Sequence, residues 1–134
     1  MGAKNRKRDY VGPQNVDMKM KFKDFCEVYK RDITPRIKLS TLRIKSNIIE
    51  TKIIPYFGDK SMCAIRVSDV LGWQNILIGM LDKNGKKFSP CYLKTIHDQC
   101  SAIFNHAVRY YDLKSNPASK AGNMGKEKTK EMLF

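Results

Sequence analysis

The spacing of apolar residues is the feature that most constrains the fold of this chain. Phe22, Phe25, Tyr29 and Ile33 follow one another at steps of three or four residues, and similar steps return along the rest of the sequence. Such steps place side chains on one face of an α-helix. The period is helical throughout, so the sequence predicts an all-α fold.

Capping and breaking residues divide this pattern into four predicted helices. A serine or Ser-Pro pair suits a helix start, whereas the residue before a proline is pushed away from helical geometry. The predicted helices run from about Lys21 to Arg31, from Ser40 to a stop at Pro55 and Gly58, from Ser68-Asp69 onward, and from Ser89-Pro90 to about Tyr111. These four helices are expected to form a compact bundle.

The third predicted helix carries a narrow strip of small residues between two apolar arcs. Gly72, Asn75 and Gly79 form this strip. Small side chains allow a neighbouring element to approach closely, and a helix that is apolar on most sides is usually buried. The pattern predicts that this helix is the most enclosed of the four, with a neighbour packed along the strip.

The length of 134 residues suits one domain with tails. Residues 1–17, with Gly12-Pro13, are predicted to be a flexible basic arm or linker. Residues 18–117 are predicted to form the folded domain. Residues 118–134 are polar and contain glycine, which predicts a linker after helix 4 as the last well-packed element.

The net charge points to a polyanionic partner. The chain has 26 Lys and Arg against 13 Asp and Glu, a formal charge of +13. Residues 22–113 hold fifteen basic and nine acidic groups, a net +6, so the predicted folded region is itself basic. An excess of this size favours nucleic acid over an uncommitted basic surface.

No apolar run approaches the ~20 residues that span a bilayer, which predicts a soluble, cytoplasmic protein. The four cysteines lack a Cys-x-x-Cys pair, so they are expected to be reduced and mostly buried. A metal site from Cys91, His97, Cys100 and His106 is disfavoured, because a helix scatters these positions around its axis. The sequence predicts neither a metal nor a cofactor.

Two polar surfaces are candidates for binding DNA. The face of helix 4 opposite its core stripe carries Lys94, Thr95, Asp98, Ala102, Asn105 and Arg109, and a major groove is wide enough to admit such a helix. A solvated surface is the alternative interpretation of that face. The start of helix 2 offers hydroxyl groups and free N–H groups at Ser40 and Thr41, which suit a phosphate. Its basic neighbours are Arg36, Lys38, Arg43 and Lys45.

Four blocks of the chain resemble the core-binding domain of phage-type integrases, the tyrosine recombinases, and especially those of conjugative transposons. The blocks are KFKDFCEVY, STLRIKSNIIETKIIPYFGDK, IRVSDVLGWQN and SPCYLKTIHDQCSAIFNHAVRYYDLKSNPA. They lie in family-like order from Phe22 through Pro117. The resemblance implies a SAM-like bundle of four helices that closes around a crossover DNA site together with a downstream catalytic domain.

The resemblance also implies which residues meet double-stranded DNA. Carried over by position, Ser40, Thr41, Arg43 and Lys45 meet the backbone and the groove edge, and Lys94, Thr95, Asp98 and Arg109 lie along the groove. The local charge and the helical pattern add Arg36, Lys38 and Asn105 to the predicted DNA-binding residues. The family's active-site residues lie in a separate domain, so no catalytic residue is expected here, and Tyr110 and Tyr111 are not expected to be nucleophiles. The family also implies contacts with other recombinase protomers and a nucleoid-associated location in a bacterium. A helical protein-interaction module that does not act on DNA remains the alternative.

Overall fold

A computed structural model describes residues 16–125, which form helices, turns and two isolated backbone bridges without a β-strand. The helices are α1 (Phe22–Ile33), α2 (Leu39–Ile48), α3 (Ile54–Phe57), α4 (Val67–Gly79), α5 (Pro90–Tyr110) and α6 (Pro117–Ala121). The predicted all-α fold is confirmed. Residues 1–15 of the predicted basic arm and residues 126–134 of the predicted linker lie outside the described residues. None of the helices in residues 16–125 has the length and hydropathy to cross a membrane.

The second predicted helix passes through its proline instead of stopping there. A π turn over Ile49–Ile53 joins α2 to α3, and the N–H of Ile54 donates to the carbonyl of Ile49. Proline has no N–H to donate, and a wider turn is a common way for a helix to absorb such a defect. The predicted end at Gly58 is confirmed, because the helix ends at Phe57 with Gly58 as its C-cap, whereas Pro55 does not stop the helix.

Four large aromatic residues form the centre of the core. The rings of Phe22 and Phe104 lie 5.5 Å apart, those of Phe22 and Phe57 5.7 Å, and those of Phe57 and Trp73 5.4 Å. Trp73 also donates its indole N–H to the carbonyl of Lys52, 2.8 Å away, beside the π turn. Because these residues come from α1, α3, α4 and α5, this cluster fixes the main helices relative to one another.

The loop after α3 closes over the start of α1. The N–H groups of Phe22 and Lys23 donate to the carbonyls of Lys60 and Gly58, at 2.8 and 3.1 Å, and the N–H of Met62 donates to Met20 at 2.9 Å. The first N–H groups of a helix have no acceptor within the helix. The loop supplies these acceptors, so the start of α1 is occupied by the protein itself.

The segment after α5 packs against the bundle, contrary to the prediction that helix 4 is the last well-packed element. The side chain of Asn116 accepts from the N–H groups of Ala118 and Ser119, and it thereby caps α6. Ala118 is fully buried. Gln74 of α4 donates to the carbonyl of Gly122 at 2.7 Å. Residues 116–125 therefore form part of the folded unit.

The prediction that the third helix is the most enclosed is wrong. It corresponds to α4, which contributes Val70, Trp73 and Leu77 to the core. No atom of the described part of the chain lies within 4 Å of a side chain built at Gly79. The strip is thus uncovered at Gly79 in residues 16–125, whereas a side chain added at Gly72 would lie 3.0 Å from the hydroxyl of Tyr56.

Burial of His97 predicts an acid-sensitive fold. His97 lies 4% exposed, with its Nδ1 atom 3.2 Å from Nε2 of Gln74, and burial lowers its pKa. In the unfolded chain the imidazole has its ordinary pKa of about 6.5, so it binds a proton there before it does so in the folded state. Stability is therefore expected to fall as the pH drops below about 7, until the lower folded pKa is passed.

Denaturant unfolding at several pH values between about 5 and 8 measures this dependence. His97→Gln carries no titrating group at this position and is expected to flatten the curve in that window. An unchanged pH dependence in the His97→Gln variant would show that another group controls it.

Candidate nucleic-acid interface

The start of α2 differs in detail from the prediction. Lys38 is the N-cap, in extended geometry and without a side-chain capping bond, and Ser40 is the second helical residue. The predicted Ser40 N-cap is therefore wrong. The first hydrogen bond of α2 runs from the N–H of Leu42 to the carbonyl of Lys38. The N–H groups of Leu39, Ser40 and Thr41 therefore have no acceptor within the helix. Helix starts of this kind attract anions.

Three of the predicted cationic residues surround this helix start. Arg36 ends the short turn Thr34–Arg36, Lys38 precedes α2, and Arg43 lies in its second turn. All three are exposed. Within residues 16–125 no acidic side chain forms an ion pair with any of them. Their charge is available to a ligand from solution.

Lys45 has a different environment from the other predicted cations. Its Nζ atom donates to Oε1 of Gln99 at 2.9 Å, which joins α2 to α5. It is partly buried, and burial lowers its pKa. The predicted site residue therefore also serves as a bridge between the two helices that carry most of the candidate interface.

On the polar face of α5, fewer side chains are open to a ligand than the sequence suggested, because several have partners within the domain. Lys94 and Asp98 form an ion pair at 3.0 Å, and the other carboxylate oxygen of Asp98 accepts from Asn123 at 3.0 Å. A side chain added at Gly125 would lie 2.3 Å from the backbone nitrogen of Lys94. Residues 123–125 therefore lie directly along one edge of this face.

Two further residues of this face also have partners within the fold. Oδ1 of Asn105 accepts from Nδ2 of Asn116 at 2.8 Å. The hydroxyl of Thr95 donates to the carbonyl of Cys91 at 3.1 Å, in the preceding turn of α5. Thr95 nevertheless remains exposed, and so does Arg109, about four helical turns further along α5. The open part of α5 lies between α2 and the segment that carries Asn116.

A cleft of about 920 Å³ brings together three predicted residues from different parts of the chain. Arg36 from the turn after α1 lines it together with Asn105 and Arg109 from α5. Neither arginine forms an ion pair with a residue of the described chain. Their guanidinium groups are therefore two free cations at the edge of one concave surface, which suits a phosphate backbone.

An acidic residue lies in the same cleft, but its charge is balanced. Asp32 accepts from Nε2 of His106 at 2.9 Å, from the hydroxyl of Tyr111 and from Arg31 at 3.1 Å. Burial acts to raise the pKa of Asp32, yet these hydrogen bonds outweigh it and the pKa is lowered. The ionised carboxylate thus binds α1 to α5 and leaves Arg36 and Arg109 unneutralised.

Sequence reasoning did not identify this network as part of the site. Tyr111 was considered as the end of helix 4 and as a possible nucleophile, and His106 only as a metal ligand. Asp32 is separated from its partners by 74 and 79 residues, so no local pattern connects them. The adjacent opposite charges of Arg31 and Asp32 near the end of α1 were the one available indication.

The cysteines and histidines occupy separate environments. Cys26 and Cys100 are buried, whereas Cys63 and Cys91 are exposed, and all four thiols are free. Burial raises the pKa of both buried thiols. Residues 16–125 contain no group of three or more potential metal ligands in one place. The prediction of mostly buried thiols therefore holds for two of the four.

Known proteins resemble this chain in part of its sequence and in its fold. Residues 21–78 match the family model of the phage integrase N-terminal SAM-like domain. No curated protein matches the chain. Among solved structures, the chain is similar to lambda integrase in the crystal structure of a lambda integrase(75-356) dimer bound to a COC′ core site, with a TM-score of 0.66 and 22% identity.

That similarity extends over 81% of this chain but only 36% of the lambda integrase chain. At this level of identity it shows a shared fold, and the chain spans about a third of the larger protein. The family match covers α1 through most of α4, and the shared fold continues beyond it. Residues 21–78 are therefore similar to the N-terminal SAM-like domain of phage integrases, and most of the chain shares its fold with part of lambda integrase.

Proposed function

We propose that this chain is the DNA-binding, core-binding domain of a site-specific tyrosine recombinase that integrates or excises a mobile element, of the kind found in conjugative transposons. The domain type supports this proposal, and so does the structural neighbour, a lambda integrase dimer bound to a core site. Double-stranded DNA at a crossover site is the proposed ligand. The negatively charged phosphates of DNA match the net charge of +13 on this chain.

The observation that carries this proposal is the pair of free arginines in one cleft. Arg36 and Arg109 come from opposite ends of the domain sequence and line the same concave surface. Lys38 and Arg43 extend the positive surface along the exposed start of α2. Phosphate contacts of this kind position a protein on DNA without reading its sequence.

The remaining predicted residues are assigned less direct roles. Ser40 and Thr41 offer hydroxyl and backbone donors to a phosphate, and Thr95 faces solvent on the open part of α5. Lys45, Lys94, Asp98 and Asn105 already have partners inside the domain. A contact between these four and DNA requires them to exchange those partners, so we assign them mainly to shaping the interface.

Other parts of the proposed recombinase supply the chemistry. A catalytic domain of the same parent chain would bind the opposite side of the DNA, so that the two domains enclose it. Further protomers would bind the DNA beside this one. The proposed location is the bacterial cytoplasm, on the nucleoid. A protein-interaction module that does not act on DNA is the second candidate function, and the exposed apolar face of α4 is the observation that favours it.

The salt dependence of binding separates the two functions. If about four to seven phosphates are contacted, the logarithm of the DNA association constant should fall against the logarithm of salt concentration with a slope of about −4 to −6. Fluorescence anisotropy with a labelled duplex at several salt concentrations measures this slope. A slope near zero would favour the protein-interaction module, and a covalent adduct with DNA would place the cleavage chemistry in this chain.

A further inference from the structure

The cleft that brings Arg36 and Arg109 together also has an apolar lining. The apolar and aromatic residues of this lining are Ile33, Ala102, Val108 and Tyr110. Phosphates are bound by cations and hydrogen-bond donors, so a phosphate contact makes no use of apolar side chains or of an aromatic ring. The lining therefore indicates a ligand that has an apolar surface next to its negative charge.

Tyr110 offers most of its aromatic ring to such a ligand. It is 61% exposed at the end of α5. Within residues 16–125 its ring meets one other ring, that of His106, with 5.0 Å between the centroids, and its hydroxyl has no hydrogen-bond partner. The neighbouring Tyr111 differs, because its hydroxyl donates to Asp32. An exposed aromatic ring with a polar tip suits a binding surface.

Asn105 adds free hydrogen-bond donors to the same cleft. Its Oδ1 atom accepts from Nδ2 of Asn116 at 2.8 Å, and the orientation of Asn116 is in turn fixed by the backbone N–H groups of Ala118 and Ser119. This chain of bonds orients the Asn105 amide, whose Nδ2 has no acceptor among the described residues. An amide held in this way can donate to an acceptor on the edge of a base.

An unstacked nucleobase has the properties that this lining requires. Inside a duplex both faces of a base are covered by its neighbours, so an aromatic side chain can stack only on a base that has left the stack. Proteins hold such bases between aromatic and apolar side chains, with polar groups on the base edge and cations on the backbone. The volume of about 920 Å³ lies within the usual range of ligand sites.

We propose that this cleft holds one unpaired, extrahelical base of the bound DNA, stacked on the ring of Tyr110. Arg36 and Arg109 contact the phosphates that flank this base, and Nδ2 of Asn105 donates to its edge. The inference rests on the proposed function, because it concerns DNA bound at the same cleft. It adds a ligand class to that function, namely DNA in which base pairing is locally interrupted.

Fluorescence anisotropy of the full chain with three labelled DNAs is the test. The first is an intact duplex, the second is the same duplex with one extra unpaired base at its centre, and the third carries an abasic nucleotide in place of that base. The duplex with the unpaired base is expected to bind about tenfold more tightly than the intact one, as is typical of one base stacked on an aromatic side chain. The abasic duplex is interrupted at the same point but has no base to stack, so it should bind like the intact duplex.

Three variants test the role of the ring. Tyr110→Ala is expected to reduce the tenfold preference for the unpaired base to about one, whereas Tyr110→Phe keeps the ring and should keep the preference. Tyr92→Ala is the matched control, because it removes a tyrosine near the other end of α5, outside the cleft, and should leave the preference unchanged. Tyr110 is exposed, so the melting temperature of its variants should match that of the parent.

The outcomes separate this inference from the proposed function. Equal affinity of the parent for the intact duplex and the duplex with the unpaired base overturns the inference, and so does equal tight binding of the abasic duplex, which would mean that the protein responds to the interruption alone. A Tyr110→Ala variant that loses the same factor for all three DNAs also overturns it, because the ring then contacts the backbone. A chain that binds none of the three DNAs overturns the proposed function, and this inference with it.

Discussion

Arg36→Glu combined with Arg109→Glu is expected to weaken DNA binding by about 100-fold or more at 0.1 M salt and to flatten the salt slope by about two units. Each arginine is free of acidic partners in residues 16–125, and both line the same cleft. Replacing them removes two phosphate contacts and adds two negative charges where DNA would lie. The affinity should fall for specific and random duplexes alike, because phosphates carry no direct sequence information.

A matched control separates the position of these charges from their number. Lys83→Glu combined with Lys86→Glu makes the same change in net charge on the exposed loop between α4 and α5, away from the cleft. This control is expected to weaken binding by less than about fivefold, because separated surface charges are screened at this salt concentration. Equal losses in both double variants would show that binding depends on overall charge and that the cleft is not the interface. Melting curves should confirm that both variants fold.

The sequence was sufficient to predict the main helices because each carries a long periodic stripe. Ser89-Pro90 begins α5 as predicted, and the hydroxyl of Ser89 accepts the N–H of Tyr92. The rule that a proline ends a helix gave the wrong result at Pro55. The helix passes this proline through a π turn, in which the surrounding core overrides the local preference.

The parts of the site that the sequence did not predict depend on contacts between distant residues. Lys45 lies off the main apolar stripe of its helix, and only the crossing of α2 over α5 brings it to Gln99. Asn116 and Pro117 lie at the end of the predicted folded domain, just before the predicted linker 118–134. The side chain of Asn116 binds the carbonyl of Ser101 and the amide of Asn105, so tertiary contacts hold a segment with a weak local pattern.

For α4 the strip of small residues was predicted correctly, whereas the prediction that a neighbouring element packs along it was wrong. Gly72, Asn75 and Gly79 do form one strip, as the helical repeat requires. The prediction then assumed that the neighbour belongs to the same chain. Helical periodicity specifies which residues share a face, whereas it does not specify whether that face meets the core, solvent or another molecule.

Phe104→Ala is expected to lower the free energy of unfolding by about 3–5 kcal/mol, the usual cost of removing a large aromatic side chain from a core. Phe104 is fully buried, and its ring lies 5.5 Å from that of Phe22 and 6.5 Å from that of Phe57. The change therefore opens a cavity where α1, α3 and α5 meet. Since domains of this size are stable by only about 5–15 kcal/mol, much of that stability should be lost.

Urea unfolding followed by circular dichroism measures this loss, with Ile44→Ala as the control. Ile44 is an apolar residue that is 62% exposed, so its truncation should change stability by no more than about 0.5 kcal/mol. Phe104 lies on α5 opposite the cleft residues, so DNA affinity of Phe104→Ala should fall only in proportion to the unfolded fraction. A loss of binding while the variant remains fully folded would mean that the core also sets the position of Arg109, and that the cleft is less rigid than its Asp32 network implies.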